Sequence, residues 1–268
     1  MTTMTTPALA PFDMAHLPQA LRLSRQAGWP HRTEDWALAL SASKGVVALE
    51  EGRVVGTALC STFGDVAMLN MIIVDEAMRG RGLGRLLMQA VMTRAAEREM
   101  RLVATADGLP LYEKLGFVAT GQIFQHQGIA IPASSHVRVR TGNIDDIPHI
   151  AALDLAASSL PRERLLRTIL RHGEVLLAED GFALLRDFGR GRVLGPVVAD
   201  NVATATALMS AAATHCAGTF LRVDLRGDTL RDVAVSLGLA HAGGGIAMTR
   251  GARTAPPTTY ALVSQALG

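Results

Sequence analysis

Three glycines alternate with other residues in the segment Arg79-Gly80-Arg81-Gly82-Leu83-Gly84-Arg85, which follows an apolar run. Glycine lets the backbone approach a ligand closely and adopt conformations that a Cβ atom forbids. If a helix begins here, the amides of its first turn and the positive end of its dipole face the same space. Such a turn can bind a pyrophosphate, and the guanidinium groups of Arg79, Arg81 and Arg85 can add positive charge at its rim.

Two other phosphate-binding patterns do not fit this segment. A dinucleotide-binding loop needs Gly-x-Gly-x-x-Gly, and Arg85 stands where its third glycine belongs. A Walker loop needs Gly-Lys-Ser or Gly-Lys-Thr, which this segment lacks. A glycine-rich turn with solvated arginines and no ligand is the alternative that the segment alone leaves open.

The residues around this segment alternate between strand and helix patterns. Ala67–Val74 is an almost continuous apolar run, as expected for a central strand that is buried on both faces. Leu83–Arg98 has helical periodicity, and Arg101–Thr105 predicts another strand. Pro110–Leu115 predicts a short helix that ends at a glycine, and Val118–Phe124 predicts a last strand. The glycine-rich loop is therefore expected between a buried strand and a helix.

The same order of elements occurs twice along the chain. Three pairs of short segments recur at a nearly constant spacing: Leu17-Pro18 with Ile147-Pro148, Glu51-Gly52 with Asp180-Gly181, and Leu115-Gly116-Phe117 with Leu237-Gly238-Leu239. We therefore expect two copies of one α/β unit, at residues 1–127 and 137–268, joined by a linker at 128–136 that contains glycine, proline and serine.

Two motifs resemble those of the GNAT superfamily of acetyltransferases. Arg79-x-x-Gly82-x-Gly84, after a strand that ends at Val74-Asp75, is similar to that family's acetyl-CoA motif. Leu111-Tyr112-Glu113-Lys114-Leu115-Gly116-Phe117 matches its second signature, L-Y-x-x-x-G-F, at the usual distance. The doubled layout is similar to tandem bacterial GNAT proteins with a divergent second domain. The resemblance implies an α/β (α+β layered) fold of two units, each a mixed, mostly antiparallel sheet flanked by helices, with the strands splayed at the CoA site of the first.

The resemblance also implies how acetyl-CoA, the co-substrate, would be bound, and it implies no metal. Backbone groups of Ile72, Ile73 and Val74 would pair with the pantetheine arm like an added strand. The amides of Gly80 to Arg85 would bind the pyrophosphate. Thr105 stands where many relatives carry an asparagine that contacts CoA, so a hydroxyl would replace an amide there.

Tyr112 is the residue that the resemblance places in catalysis, as the acid that protonates the departing CoA thiolate. A phenol near pKa 10 can donate to a thiolate when it is well positioned. The acceptor site is expected between the first helices and the sheet, where Trp29 and Asn70 are candidates for substrate binding. Asn70 cannot act as the general base, and the sequence does not identify that base.

The second copy lacks the residues that carry this chemistry. Only Ala199-Asp200 separates the predicted strand Val193–Val198 from the helix that starts at Asn201, and Ala234 stands in the position of the catalytic tyrosine. The run Gly243-Gly244-Gly245 predicts a turn or a bulge. We therefore expect one acetyl-CoA per chain, bound to the first copy.

Composition favours a cytoplasmic protein with a small-molecule partner. The net charge is only +2, which does not predict a nucleic-acid partner. The apolar runs are strand-sized, so no membrane span is expected, and Met1–Pro11 does not resemble a secretory signal. Cys60 and Cys216 show no metal-ligand spacing and predict buried thiols in a reducing compartment.

Together these observations predict an N-acetyltransferase that uses acetyl-CoA to acetylate a primary amine of a small molecule or an amino acid. An acyl-CoA sensor without turnover and an acetyltransferase that acts on a protein partner are the alternatives. The presence of Tyr112 favours an enzyme over a sensor. The sequence also leaves a homodimer open.

Overall fold

The structure, a computed structural model, describes residues 7–268. Residues 1–6 lie outside the described part, and they belong to the segment Met1–Pro11, for which no secretory signal is expected. The chain divides into two compact units, the first ending at Arg101 and the second running from Leu102 to Gly268. Each is a mixed, mostly antiparallel sheet flanked by helices, which confirms the predicted fold class.

The first unit contains the residues of the glycine-rich loop. Its elements are β1 (Ala8–Pro11), α1 (Leu17–Gln26), α2 (Thr33–Ser41), β2 (Lys44–Glu50), β3 (Arg53–Phe63), β4 (Val66–Val74), α3 (Leu83–Ala95) and the start of β5 (Glu99–Ala104). Strands β1 to β4 pair as neighbouring antiparallel strands, and β4 pairs with β5 in parallel. Glu51 and Gly52 both have positive φ, the geometry that a two-residue turn between twisted antiparallel strands needs.

From residue 140 on, the second unit repeats this order of elements. It contains α4 (Leu109–Lys114), β6 (Val118–Ile129), β7 (Arg140–Thr141), α5 (Ile147–Ser158), α6 (Glu163–Leu170), β8 (Glu174–Ala178), β9 (Gly181–Phe188), β10 (Gly191–Ala199), α7 (Val202–His215), β11 (Phe220–Arg226), α8 (Arg231–Ser236) and β12 (Ala240–Arg250). Its sheet has the order β12-β6-β11-β10-β9-β8-β7. Helix α7 and strands β9 to β11 share one apolar core.

Two of the three pairs of short segments take the same structural roles in both copies. In the third pair, Glu51 and Gly52 form a two-residue turn, whereas Gly181 already pairs with Ala178 in the corresponding hairpin. Leu17-Pro18 begins α1 as Ile147-Pro148 begins α5, with the proline in the first turn each time. Gly116 and Gly238 follow α4 and α8 with the same φ of 83°. The duplication is therefore visible in the backbone as well as in the sequence.

Strand β6 is longer than predicted and pairs on both edges, antiparallel to β11 and to β12. It includes Gly128 and Ile129, the first two residues of the predicted linker. The division at residues 127 and 137 stays a prediction, because the compact units and the sequence repeats divide the chain at different points. The glycine run Gly243 to Gly245 lies inside β12, where the pairing with β6 has a bulge.

Three further features bear on the expectations from composition. No helix within residues 7–268 is long and apolar enough to cross a membrane. The same residues contain no group of three or more His, Cys, Asp or Glu side chains that could hold a metal ion. Cys60 and Cys216 are free and buried as predicted, and burial raises the pKa of the Cys60 thiol to about 11.

Candidate functional site

The glycine-rich loop joins the end of β4 to the start of α3. A short 3₁₀ turn, Glu76–Met78, follows β4, and Gly82 is the N-cap of α3 with φ 78° and ψ 0°. Gly80 is also left-handed, with φ 74°. A Cβ atom at either glycine would meet no heavy atom within 4 Å. The backbone therefore turns in a conformation that favours glycine, and open space lies beside the first amides of the helix.

Three arginines surround this loop, and all three are exposed. The guanidinium of Arg81 contacts the Glu50 carboxylate at 3.4 Å and the Met78 sulfur at 2.8 Å. Arg81 is therefore partly neutralised by a carboxylate of the neighbouring strand β2. Arg79 and Arg85 flank the turn on either side in the sequence, and both residues are exposed.

Strand β4 pairs with β5 only over its first residues. The parallel register joins Val66 to Glu99, Ala67 to Met100 and Met68 to Arg101, whereas β4 continues to Val74. Within the described part of the chain, the edge of β4 that carries Ile72, Ile73 and Val74 therefore extends beyond this pairing. These are the residues predicted to bind an extended ligand through their backbone groups.

A bulge interrupts β4 just before this edge. The pairing with β3 shifts between Thr57 and Leu59, and Met71 has φ 50°, a left-handed conformation that is uncommon outside glycine. The Thr57 hydroxyl donates to the Met71 carbonyl oxygen at 2.7 Å. This bulge could not be predicted from the sequence, because a single irregular residue does not change the apolar pattern of a strand.

The end of β4 is fixed by an ion pair that the sequence analysis also missed. Asp75 is buried, and its carboxylate accepts hydrogen bonds from Arg22 at 3.0 Å and from the Ala77 amide at 3.1 Å. Burial alone would raise the pKa of Asp75, but these hydrogen bonds and the charge of Arg22 outweigh it and lower the pKa. Arg22 also donates to the Val54 carbonyl at 2.8 Å, which ties α1 to β3. Asp75 is therefore a structural anchor of the loop and a weak base.

Asn70 lies at the buried start of a hydrogen-bonded chain. Its Nδ2 donates to the Ser61 hydroxyl at 3.0 Å, and the hydroxyls of Ser61 and Ser43 lie 2.6 Å apart. Ser43 donates to the Ala39 carbonyl, so its proton is used there and Ser61 must donate to Ser43. The Oδ1 atom of Asn70 is buried and has no hydrogen-bond partner in the described residues. An unpaired buried acceptor of this kind is costly and calls for a further donor.

The two tryptophans of the chain differ in their surroundings. Trp36 is fully buried and donates to the Ser24 hydroxyl at 2.6 Å, so it is part of the core. Trp29 is half-buried, and its ring lies 5.7 Å from that of His31. Only Trp29 therefore has the exposure that a substrate-binding side chain needs.

Tyr112 and Thr105 belong to the second compact unit. Tyr112 lies on α4, is 7% exposed and packs edge-on against Phe117, with ring centroids 6.2 Å apart. Burial raises the pKa of Tyr112 to about 12, so the phenol is protonated at neutral pH. The Thr105 hydroxyl accepts a hydrogen bond from the Gly108 amide at 3.3 Å, just before α4.

In the second copy, the connection between β10 and α7 corresponds to the glycine-rich loop but contains no glycine. Asn201 precedes α7 in an extended conformation, and its side chain accepts a hydrogen bond from the Thr204 amide at 2.9 Å. Helix α7 therefore satisfies one of its own first-turn amides, where α3 has an open glycine turn. Ala234 lies on α8 and is fully buried, so this copy has no hydroxyl in the place of Tyr112.

Comparison with known proteins identifies both halves. Residues 13–117 match the Acetyltransferase (GNAT) family, and residues 150–262 match a second group described as an Acetyltransferase (GNAT) domain. YitH of Bacillus subtilis (strain 168), described as an uncharacterized N-acetyltransferase, is 27% identical over 271 residues, which cover 94% of this chain and 95% of YitH.

Two solved structures have similar folds. A putative acetyltransferase from Pyrococcus horikoshii superposes with a TM-score of 0.86 at 18% identity, covering 100% of this chain and 98% of the other. A tandem GNAT protein from the clavulanic acid biosynthesis pathway gives a TM-score of 0.65 at 14% identity, covering 92% and 99%. The chain therefore belongs to the GNAT family of acetyltransferases, carries two GNAT domains in tandem and is an acyltransferase.

Proposed function

We propose that this chain is an N-acetyltransferase that moves the acetyl group of acetyl-CoA to the primary amine of a small molecule or an amino acid. The observation that carries the proposal is the open turn at Gly80 and Gly82, two left-handed glycines before α3. Apart from the chain neighbours of each glycine, no heavy atom of the described residues lies within 4 Å of where its Cβ would be. A diphosphate suits this turn, because free amides and the positive end of the helix dipole face it.

The pantetheine arm would lie along the end of β4. Its amide groups would pair with the backbone of Ile72, Ile73 and Val74 like an added strand. The short parallel register with β5, which stops at Met68, supports this placement. The bulge at Met71 supports it as well, because a bulge re-aims the backbone groups that follow it.

The reaction would proceed by direct attack. The amine nitrogen attacks the thioester carbonyl carbon, the carbon–sulfur bond breaks, and the CoA thiolate takes the phenolic proton of Tyr112. A protonated buried phenol, with its pKa raised to about 12, suits a donor rather than a base. The attacking nitrogen loses its own proton to water, and the Tyr112 phenolate regains a proton from solvent. Asp75 is bound to Arg22 and is a weak base, so it has no part in this step.

The acceptor would be recognised by Asn70 and Trp29. The unpaired Oδ1 atom of Asn70 is suited to accept a hydrogen bond from an amine, while the half-buried Trp29 ring can cover an apolar part of the substrate. The low net charge of +2 supports a small acceptor rather than an acidic macromolecule.

A thiol-release assay with acetyl-CoA and a panel of primary amines and amino acids tests the proposal. We expect free thiol and acetylated product in equal amounts with at least one amine, and no release by the Gly82→Glu variant. Tight acetyl-CoA binding without thiol release for any amine would instead indicate a sensor. Release that requires a protein acceptor would contradict the small-molecule assignment.

A further inference from the structure

The segment 258–268, which follows β12, has a buried centre at residues 261–264 although it forms neither a helix nor a regular strand. Ala261 and Val263 are fully buried, and Leu262 is 1% exposed. The segment lies within the second unit, against strands β10 and β11. Its position there is defined by backbone hydrogen bonds on both sides.

Strands β10 and β11 pair in parallel over only a few residues and then separate. Strands β4 and β5 show the same short parallel pairing. The register joins Arg192 to Leu221 and ends with Leu194 opposite Val223, whereas the strands continue to Ala199 and Arg226. Ala261 forms an antiparallel bridge with Val197 on one side and with Leu225 on the other. The segment therefore fills the gap between the separated strands.

Backbone hydrogen bonds to both strands hold it there. On the β10 side, the Tyr260 amide donates to the Val197 carbonyl at 2.9 Å, and the Val197 amide donates to the Ala261 carbonyl at 3.2 Å. On the β11 side, the Arg226 amide donates to the Tyr260 carbonyl at 2.9 Å, and the Leu262 amide donates to the Asp224 carbonyl at 3.0 Å. Both strand edges are thus satisfied by the chain itself.

Val197 occupies the position in β10 that the proposed pantetheine-binding residues occupy in β4. Val197 lies two residues before the end of β10, as Ile72 lies two residues before the end of β4. It is also the first residue paired after the bulge in its strand, as Ile73 is in β4. In both copies the fourth strand of the repeat therefore extends beyond the point where its parallel pairing stops. In the second copy a peptide already covers it.

We infer that the segment Tyr260–Leu262 is the resident ligand of the β10–β11 groove, where it takes the place that the pantetheine arm would take at β4. This inference rests on the proposed function, which assigns pantetheine to Ile72–Val74. An extended peptide suits the groove because it offers amide and carbonyl groups to both strands. The groove of the second copy therefore takes a peptide of this chain, and no acyl-CoA enters it.

Two further contacts fix this ligand in place. Gly195, in β10, has φ 157°, and a Cβ atom there would overlap the Leu262 carbonyl, so the close approach of the segment requires glycine. The buried Arg162 donates to the carbonyl oxygens of Leu267 and Gly268 at 2.7 Å and pairs with Asp154 at 2.7 Å. These contacts favour a permanent occupant over an exchangeable one.

Hydrogen–deuterium exchange of the full chain, read at residue level with and without acetyl-CoA, tests the inference. We expect the amides of Val197, Arg226 and Leu262 to exchange at least about 100-fold more slowly than in an unfolded chain. Saturating acetyl-CoA should leave their rates unchanged. Fast exchange in the free protein, or faster exchange after acetyl-CoA is added, would overturn the inference.

The same experiment reports separately on the proposed function. Acetyl-CoA should slow the exchange of Ile72 and Val74, and the absence of that effect would count against the first site alone. The Ala261→Arg variant, which places a long charged side chain at a fully buried position, should expose the groove. Its Val197 and Arg226 amides should exchange at least about 10-fold faster, while one acetyl-CoA per chain still binds.

Ala255→Arg is the matched control, because Ala255 lies in the same C-terminal part of the chain but is exposed. It should leave the exchange of Val197 and Arg226 at the wild-type rate. Slow exchange of both amides in a folded Ala261→Arg protein would contradict the inference. If that variant does not fold, the wild-type exchange experiment still decides the question.

Discussion

The two strand-to-helix connections of this molecule start from the same architecture and end differently. Between β4 and α3 the chain passes through two left-handed glycines, and the amides of the first helical turn face open space. Between β10 and α7 the connection is shorter, and Asn201 caps the helix with its own side chain. Under the proposed function the first connection receives an anion, whereas in the second the protein itself caps the helix.

The strand edges beside these connections show the same contrast. The end of β4 runs on beyond its parallel register, whereas the end of β10 is covered by Tyr260–Leu262. A duplicated domain that loses its ligand keeps an unsatisfied strand edge, and unpaired buried amides are costly. Under the proposed function, the copy that lacks the glycine-rich loop is also the copy in which a peptide covers the strand edge.

The largest expected effect comes from filling the open connection. Gly82→Glu introduces a carboxylate where the pyrophosphate is expected, and repulsion of several kcal/mol should weaken acetyl-CoA binding at least about 100-fold. Calorimetric titration measures this loss. Gly218→Glu is the matched control, because Gly218, with φ 74°, is also left-handed and has open space around its Cβ position but follows α7. If a folded Gly82→Glu variant bound acetyl-CoA as tightly as the wild type, the β4–α3 connection would not be the binding site and would not differ in function from the β10–α7 connection.

The next largest effect is expected on kcat when the Tyr112 hydroxyl, which the second copy lacks, is removed. Tyr112→Phe should lower kcat by about 100-fold with little change in acetyl-CoA affinity, as expected for the loss of a general acid. Tyr260→Phe changes the other tyrosine of the chain and should leave kcat unaffected. Because the pKa of Tyr112 is raised to about 12, wild-type kcat should show no alkaline decline with a pKa near 10. Undiminished turnover by Tyr112→Phe would show that another proton donor serves the thiolate.

A smaller effect is expected at the buried chain of polar groups behind β4. Asn70→Ala removes the unpaired Oδ1 atom and should raise the KM for the amine by about 10-fold, the value of one hydrogen bond to a charged group. The affinity for acetyl-CoA should stay the same, because the cofactor would use the backbone of β4. Ser61→Ala removes the partner of Nδ2 and leaves Oδ1 in place, so its KM should change less. Identical kinetics of Asn70→Ala and the wild type would make Asn70 a purely structural residue.

The elements and the loop could be predicted from the sequence because their signals are local. The apolar run of β4, the helical spacing of α3 and the glycines between them lie within residues 66–95, and the structure has these elements where they were expected. The Glu51-Gly52 hairpin was equally local. Such features depend on neighbours in the sequence.

The features that the sequence did not reveal are long-range. β6 continues to Ile129 through the polar residues Gln125, His126 and Gln127, because strands on both sides satisfy its backbone. The segment 258–268 has no periodic apolar pattern, and its order comes from the gap that β10 and β11 leave. The pair of Arg22 and Asp75 joins two elements far apart in the chain. No short window contains both partners of any of these contacts.

The smallest expected effect compares the aspartates that follow the two strands. Asp75 is buried and pairs with Arg22, whereas Asp200 is exposed. Asp75→Asn should lower the free energy of unfolding by about 1–2 kcal/mol at neutral pH, and Asp200→Asn should change it by less than about 0.5 kcal/mol. Chemical denaturation at several pH values measures both.

The pH dependence of that difference follows from the direction of the shift. The pKa of Asp75 is lowered in the folded protein, mainly because hydrogen bonds from Arg22 and Ala77 outweigh the effect of burial. Its contribution to stability is therefore fully present above the unfolded pKa of about 3.9 and is lost as the pH falls through the lower folded value. Wild type and Asp75→Asn should converge in stability in that acidic range and differ at neutral pH. A difference that is constant from neutral to acidic pH would show that the Asp75 charge does not anchor the loop, and the contrast between the two connections would then depend on the glycines alone.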